Sequence, residues 1–495
     1  MSGTGTAAAA AAAGEAGTRT AGATAVLDIG KSNVKLTLVG AGGAVLAEQR
    51  RPNRTLDDGP YPHHDVEGIW QWLLAALKAM SALARIEAIV PVTHGATAVL
   101  VDDAGLVLPV LDYESTLPQE LSADYRRVRP AFADSGSPDL PAGLNLGRQL
   151  YWQARTFPAQ FARARHILMY PQYWAWRLCG VAASEVTSLG CHTDLWQPLP
   201  GRPSSLVDAM DRGRLLPPLR TAWTALGPLR GELAAATGLP ADCKVLCGIQ
   251  DSNASLLRYL DMSARDGARR CTVLSTGTWV IAAALGRTDN GLSESLDMLA
   301  NVSAVGKPVA CMRFMGGREF AALAGPQGEV CEVCDGAELA GLIERGSFAL
   351  PSFADAGGPF VGRVGVVSGP PPRNGRERYA LATIYCALMS DYCLDALQAE
   401  GSIVIEGSFA GNAHFAGLLA GLRGRQEVLV SDDECGTTCG GWMLHRWGQR
   451  SATPLRSVHA LTPRGWLDYR NRWRALIEGP AGASACVDGS LESSS

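Results

Sequence analysis

The sequence predicts an α/β protein made of two half-domains that face each other across a cleft, and three observations carry that prediction. The chain has 495 residues, more than one ordinary core of roughly 100 to 200 residues can organise. A unit of strand, polar glycine turn and strand stands near the start and returns past the middle. Two further strands run through glycine turns into helices.

The composition sets outer limits. Apolar residues make up 47% of the chain and charged residues 19%, which supplies large cores and excludes global disorder. A net charge of −4 gives no footprint for nucleic acid or an anionic membrane, so any anionic ligand must be held by local groups. No stretch reaches about 18 uninterrupted apolar residues, so no membrane span is expected. Thirteen cysteines form no dense framework in so long a chain, which favours reduced thiols in a cytoplasmic setting. Cys331 and Cys334 make one CxxC pair; with no second pair or His partner nearby, they read as thiols on one turn ahead of a zinc site. Residues 1–23 and 479–495 read as disordered tails.

Order begins at Thr24–Gly30, an apolar strand ending in a turn, and continues through Lys31-Ser32-Asn33 into a second run, Val34–Val39. A further turn leads to Ala44–Gln49, so the chain opens on three antiparallel strands. Gly30-Lys31-Ser32 is not a P-loop, because the glycine that motif needs five residues earlier is Ala25, inside a strand. What remains is Asp28 at a strand end beside turn donors, a set suited to magnesium and phosphate oxygens; a plain surface hairpin is the alternative.

Val245–Ala254 reads as strand, glycine turn and helix, with Asp251 at the junction. Cys271–Val280 repeats the theme of the opening hairpin. Ile403–Asn412 runs through Gly407 into an apolar helix, 413–422, whose N-terminus suits phosphate or the adenosine sugar. A plain helix cap would also place an aspartate at 251. His63-His64-Asp65 could mimic a metal cluster, but Asp65 reads better as the start of the amphipathic stretch Ile69–Met80.

Asp28-x-Gly30-Lys31-Ser32-Asn33-x-Lys35 resembles the first phosphate motif of the FGGY carbohydrate kinases, which share a fold superfamily with actin and hexokinase. The later turns resemble the same family in the same order, over about residues 24–478. The resemblance implies two actin-like, ribonuclease H-like domains, 24–257 for the sugar and base and 260–478 for ATP. On it, Asp251 falls on the catalytic base. Gly30, Lys31, Ser32, Asn33, Lys35, Thr276, Gly277, Thr278, Gly407, Ser408 and Asn412 fall at ATP, and Asp28, through water, with Asp251 at Mg²⁺. Pro171–Gly180 with Ser184–Ser188 resembles the segment before the hinge, and Gly436–Trp442 the start of the last core helix. Two departures stand out: Ser408-Phe409 replace the consecutive glycines of the adenosine turn, and Leu111–Glu114 replaces an Arg-Asp pair.

Phosphoryl transfer needs little covalent help from a protein, so its parts are positioning groups, charge neutralisation and one proton acceptor. A sugar needs convergent polar groups beside an apolar wall, and the candidates are Thr93, His94, Gly95, Asp112, Tyr113, Glu114 and Gln250. His94 reads alternatively as a satisfied loop histidine. The expected activity is ATP-dependent phosphorylation of a small ketose or polyol, with deoxyketohexoses such as rhamnulose and fuculose ahead of pentuloses. A silent sugar or nucleotide binder and a phosphohydrolase on the same fold are the rivals, and an assembly of two copies is left open. A dinucleotide-binding dehydrogenase is disfavoured, since no G-x-G-x-x-G follows the first strand.

Overall fold

The computed structural model describes residues 22–210, 213–265, 270–286, 291–325, 335–433, 435–448 and 454–479. Cys331, Cys334 and nearly all of the expected tails lie outside the described residues. Ala23, which was assigned to the tail, is the first residue of a strand.

The opening alternation forms the three antiparallel strands expected: Ala23–Ile29, Asn33–Val39 and Val45–Pro52. Ile86–Thr93 then pairs parallel with Ala23–Ile29, and Lys244–Leu246 pairs parallel with Ile86–Thr93. The second sheet repeats this plan. Cys271–Thr276, Val280–Leu285 and Pro308–Phe314 run antiparallel in sequence, and Ser402–Gly407 and Val428–Ser431 add parallel to Cys271–Thr276. Both sheets thus join an antiparallel run of three strands to parallel ones, with further antiparallel strands at the edges, the two-domain α/β arrangement that the resemblance implied.

The buried faces follow the periodicity of the sequence. The helix Val66–Ser81 places Ile69, Leu73, Ala76, Leu77 and Met80 in the first core, and Asp65 caps it by accepting from the Gly68 amide at 2.8 Å. Tyr170–Cys179 stops at Gly180 and packs Tyr170, Tyr173 and Trp174 into the same core. The helix Ala413–Leu422 has the bounds read from the sequence.

Two helices join the halves. Asp251–Arg265 starts beside the first sheet and runs through the expected boundary at 257–260. Gly436–His445, which lies in the second half of the sequence, packs on the first sheet instead. Glycines permit that close packing: a Cβ on Gly440 would lie 2.0 Å from the Ala254 carbonyl oxygen, and one on Gly441 2.5 Å from Val26. Among the described residues no helix is long and apolar enough to cross a membrane.

Candidate active site

The turn at residues 30–33 is held by backbone and side-chain hydrogen bonds. Gly30 donates its amide to Asn33 O at 2.9 Å, and Asn53 Nδ2 donates to Gly30 O at 2.8 Å, which fixes Ser32 at the tip. Asp28 pairs in register with Lys35, whose ammonium lies 3.5 Å from Asp28 Oδ2. Thr437, on the helix that crosses from the second half, donates its hydroxyl to the same Asp28 oxygen at 2.6 Å. The ammonium of Lys31, expected at the phosphates, turns instead toward the 112–114 loop. It pairs with Asp112 and lies 3.2 Å from Glu114 and 5.0 Å from the Tyr113 ring centre.

Asp251 is the first residue of its helix, directly after Ile249–Gln250 pairs with Val92 and Thr93. Its Oδ1 accepts from Gln250 Nε2 and the Ser252 amide, both at 2.6 Å, and from Ser252 Oγ at 3.2 Å. Oδ2 is uncommitted among the described residues. Burial, together with repulsion from the Asp28 carboxylate, pushes Asp251 up to about 7 against the pull of Ser252.

The sugar-side residues converge on the same corner. Asp112 is buried, accepts from Thr55 Oγ1 at 2.7 Å and from the Glu114 amide at 3.0 Å, and holds Lys31. Burial raises its carboxyl, and the Lys31, Glu114 and Thr55 donors outweigh that and keep it below the usual carboxylate range. Tyr113 is pushed up by burial and by the charges of Glu114 and Asp251. His94 donates Nδ1–H to Gly95 O at 2.9 Å, which leaves Nε2 an acceptor, buried and without a partner. Burial holds this ring neutral, down to about 4. Gly95 lies against Cys191 and Gln250, where a Cβ would meet ordinary contacts. Thr93 donates its hydroxyl to His94 O at 3.0 Å, so its role is to fix the loop.

The second half supplies the other turns. Gly277 donates its amide to Trp279 O at 2.8 Å, and Thr278 O accepts from Gly317 at 3.2 Å. Thr276 has no free hydroxyl: it donates to Glu406 O at 2.5 Å and accepts from the Phe409 amide at 2.9 Å, fastening the second phosphate turn to the Gly407–Ser408 turn. Asn412 caps the helix that follows, accepting from Phe415 N at 3.0 Å and donating to Thr383 at 3.2 Å. Further along the Asp251 helix, Arg258 and Tyr259 each hold Glu406 Oε2 at 2.8 Å. The helix that starts with the candidate base thus anchors the residue just before Gly407.

Sequence reasoning passed over several groups at this corner. The His64 and Tyr170 rings lie tilted against His94 at 5.1 and 5.0 Å and stack on each other, and His64 Nε2 is buried without a hydrogen-bond partner among the described residues. Thr437 lay inside the quoted Gly-rich segment, but its hydroxyl carried no signal of its own. Gly316-Gly317, which brings a helix N-terminus against the Gly277–Thr278 turn, was readable as a glycine pair after a strand. Among the described residues no three His, Cys, Asp or Glu side chains gather as metal ligands.

Residues 23–257 match the N-terminal domain of the FGGY family of carbohydrate kinases, and residues 268–453 match the carbohydrate kinase FGGY C-terminal domain. A solved carbohydrate kinase from Novosphingobium aromaticivorans is 37% identical, covering 93% of this chain and 99% of that one, with a TM-score of 0.85. Gluconate kinase from Lactobacillus acidophilus shares 14% identity over 96% of this chain and 100% of that one, at a TM-score of 0.77. Xylulose kinase from Rhodospirillum rubrum shares 20% over 92% and 98%, at 0.72. No match was found among the curated proteins.

Proposed function

The chain belongs to the FGGY family of carbohydrate kinases, ATP-dependent sugar kinases, and from that premise we propose that it phosphorylates a hydroxyl of a small ketose with Asp251 as general base. The observation that carries this is the Asp251 carboxylate, held on one oxygen by Gln250 and Ser252 and raised to about 7 with the other oxygen uncommitted. A base poised near the working pH takes a hydroxyl proton effectively, and orientation matters more than strength in a loose transition state.

The remaining roles follow from placement. The turn amides of Lys31, Ser32 and Thr278 cradle phosphate oxygens, the Gly30 and Gly277 amides being used within the turns, and Gly407, Ser408 and Asn412 shape the nucleotide end. Lys35 offers positive charge beside Asp28. The donor set fits Mg²⁺: Asp28 raises Asp251 by repulsion, and these two carboxylates, which would hold the ion with phosphate oxygens and water, suit a hard cation that keeps much of its hydration. Bound there, Mg²⁺ neutralises phosphate charge. Lys31, Asp112 and Glu114 form a charged floor on the sugar side. The His64, His94, Tyr113 and Tyr170 rings give a ring-lined wall on which His94 Nε2 is an acceptor unpartnered among the described residues. That combination favours a deoxyketohexose such as rhamnulose or fuculose, with its methyl group on the wall, over a pentulose. Free thiols among the described cysteines suit a cytoplasmic setting.

A coupled ADP-release assay across ketoses and polyols tests the reading. ADP release that no sugar stimulates would overturn it, and stimulation by pentuloses alone would move the substrate. His94→Ala is expected to raise the sugar KM by roughly 5- to 150-fold, the equivalent of about 1 to 3 kcal/mol for an unpaired hydroxyl, with the ATP KM little changed. Equal loss for both substrates would remove His94 from the sugar site. The pH profile follows from the same base: Asp251 accepts a proton only when ionised, so kcat/KM should hold above about 7 and fall as pH drops through it. An acid limb near pH 4 to 5 in the free enzyme would mean that a carboxylate of ordinary acidity limits the rate.

A further inference from the structure

The turn that carries Asp251 is gripped from outside the cleft by three fully buried polar side chains of the 170–187 segment. Gln172 Nε2 donates to Cys247 O at 3.0 Å and Gly248 O at 3.2 Å. Glu185 begins the short helix Val186–Leu189, and its Oε2 accepts from the Thr187 amide at 3.0 Å and the Thr187 hydroxyl at 2.5 Å. With that proton committed, Thr187 Oγ1 turns a lone pair toward the backbone amide of Gln250, 3.2 Å away and 63 residues along the chain. Gln250 in turn donates Nε2 to Asp251 Oδ1. Gln172, Glu185 and Thr187 each show no exposure to solvent.

Capping accounts for the Glu185 bond to the Thr187 amide, because an N-cap side chain satisfies an early helix amide. It does not account for the second bond. Thr187 is the second residue of that helix, too early for its hydroxyl to return to a helical carbonyl one turn back; it gives its proton to Glu185 and its lone pair to the residue next to the base. Burying an acid and a hydroxyl together is costly unless both are paired, and here the pairing ends at the catalytic turn. We propose that Glu185 and Thr187 are positioning residues for phosphoryl transfer. They hold the Gln250 amide and so fix the angle at which Gln250 and Asp251 meet the sugar hydroxyl. The proposal rests on the reading of Asp251 as the base.

The test uses the full chain with Thr187→Val, which keeps the shape and removes the hydroxyl, beside Thr187→Ser, which restores it. A displacement of about 1 Å at a reacting group can cost on the order of 10²-fold, so kcat of Thr187→Val is expected to fall by about 10- to 100-fold. The ATP KM should stay within about threefold. Thr187→Ser should recover most of kcat. Independently of turnover, deuterium exchange of a peptide spanning 247–252 should speed up in Thr187→Val, because the Gln250 amide loses its acceptor. If Thr187→Val does not melt cooperatively, Thr187→Ala is measured in its place. A folded variant that loses thermal stability but keeps kcat and the exchange rate overturns the proposal. A wild type with no sugar-stimulated ADP release would sink the base reading instead, while the exchange rate would still report whether Thr187 holds the turn.

Discussion

Asp251→Asn is expected to lose turnover by about 10² to 10⁴-fold, the range for removal of a positioned general base. The substitution keeps the shape of the side chain, and an asparagine oxygen can still accept from the Ser252 amide and Gln250 Nε2. It also caps a helix start nearly as well as aspartate. Stability should therefore hold or rise, since the variant carries no charge to oppose Asp28. Sugar and ATP affinities should change far less than kcat, as expected when an interaction made mainly in the transition state is lost. Turnover measured beside calorimetric affinities and a thermal melt decides the point. A folded Asp251→Asn protein that binds both substrates and keeps most of its activity would refute the mechanism.

The second large effect is expected at Gly407. Its backbone lies at φ 84° and ψ −153°, a region held almost only by glycine. A Cβ there would stand 2.0 Å from the Thr276 carbonyl oxygen, in the neighbouring strand. Relief by side-chain motion is closed off, because the obstacle is backbone and because Thr276 is itself fastened to Glu406 and Phe409. Gly407→Ala must then shift both the 407–411 turn and the second phosphate turn. The strained conformation alone costs about 1 to 3 kcal/mol, and the corresponding loss of ATP affinity is roughly 5- to 150-fold. The thermal midpoint should fall as well, while direct binding of sugar stays near the wild-type value. Unchanged ATP affinity in a folded variant would separate this turn from the nucleotide.

Much of this was written locally in the chain. Strand alternation, the glycine turns and the Asp65 cap depend on residues a few positions apart, and the expected elements stand within a few residues of their bounds. The pairing of Lys31 with Asp112 and Glu114 is not local: it forms because Pro62–His64 brings the 110–112 segment alongside the first hairpin's turn. For the same reason Thr276 and Asn412 look like ligand donors in the sequence, whereas their side chains are engaged in fastening the turns. His64 and Tyr170 come from segments more than a hundred residues apart, and no periodicity marks them as neighbours. Thr437 meets Asp28 across 409 positions, a contact that exists only once the last core helix has folded back.

That return has a bearing on how the molecule is made. Val26, Val92, Leu246 and Ile249 on the first sheet share one apolar cluster with Trp442, Met443 and Leu444. A nascent chain emerging N-terminus first can complete the opening sheet early, yet that sheet keeps an uncovered apolar face until residues 436–445 have left the ribosome. A fragment ending at residue 257 should therefore be adhesive in isolation, and the finished N-terminal half needs the C-terminal half for solubility as well as for catalysis.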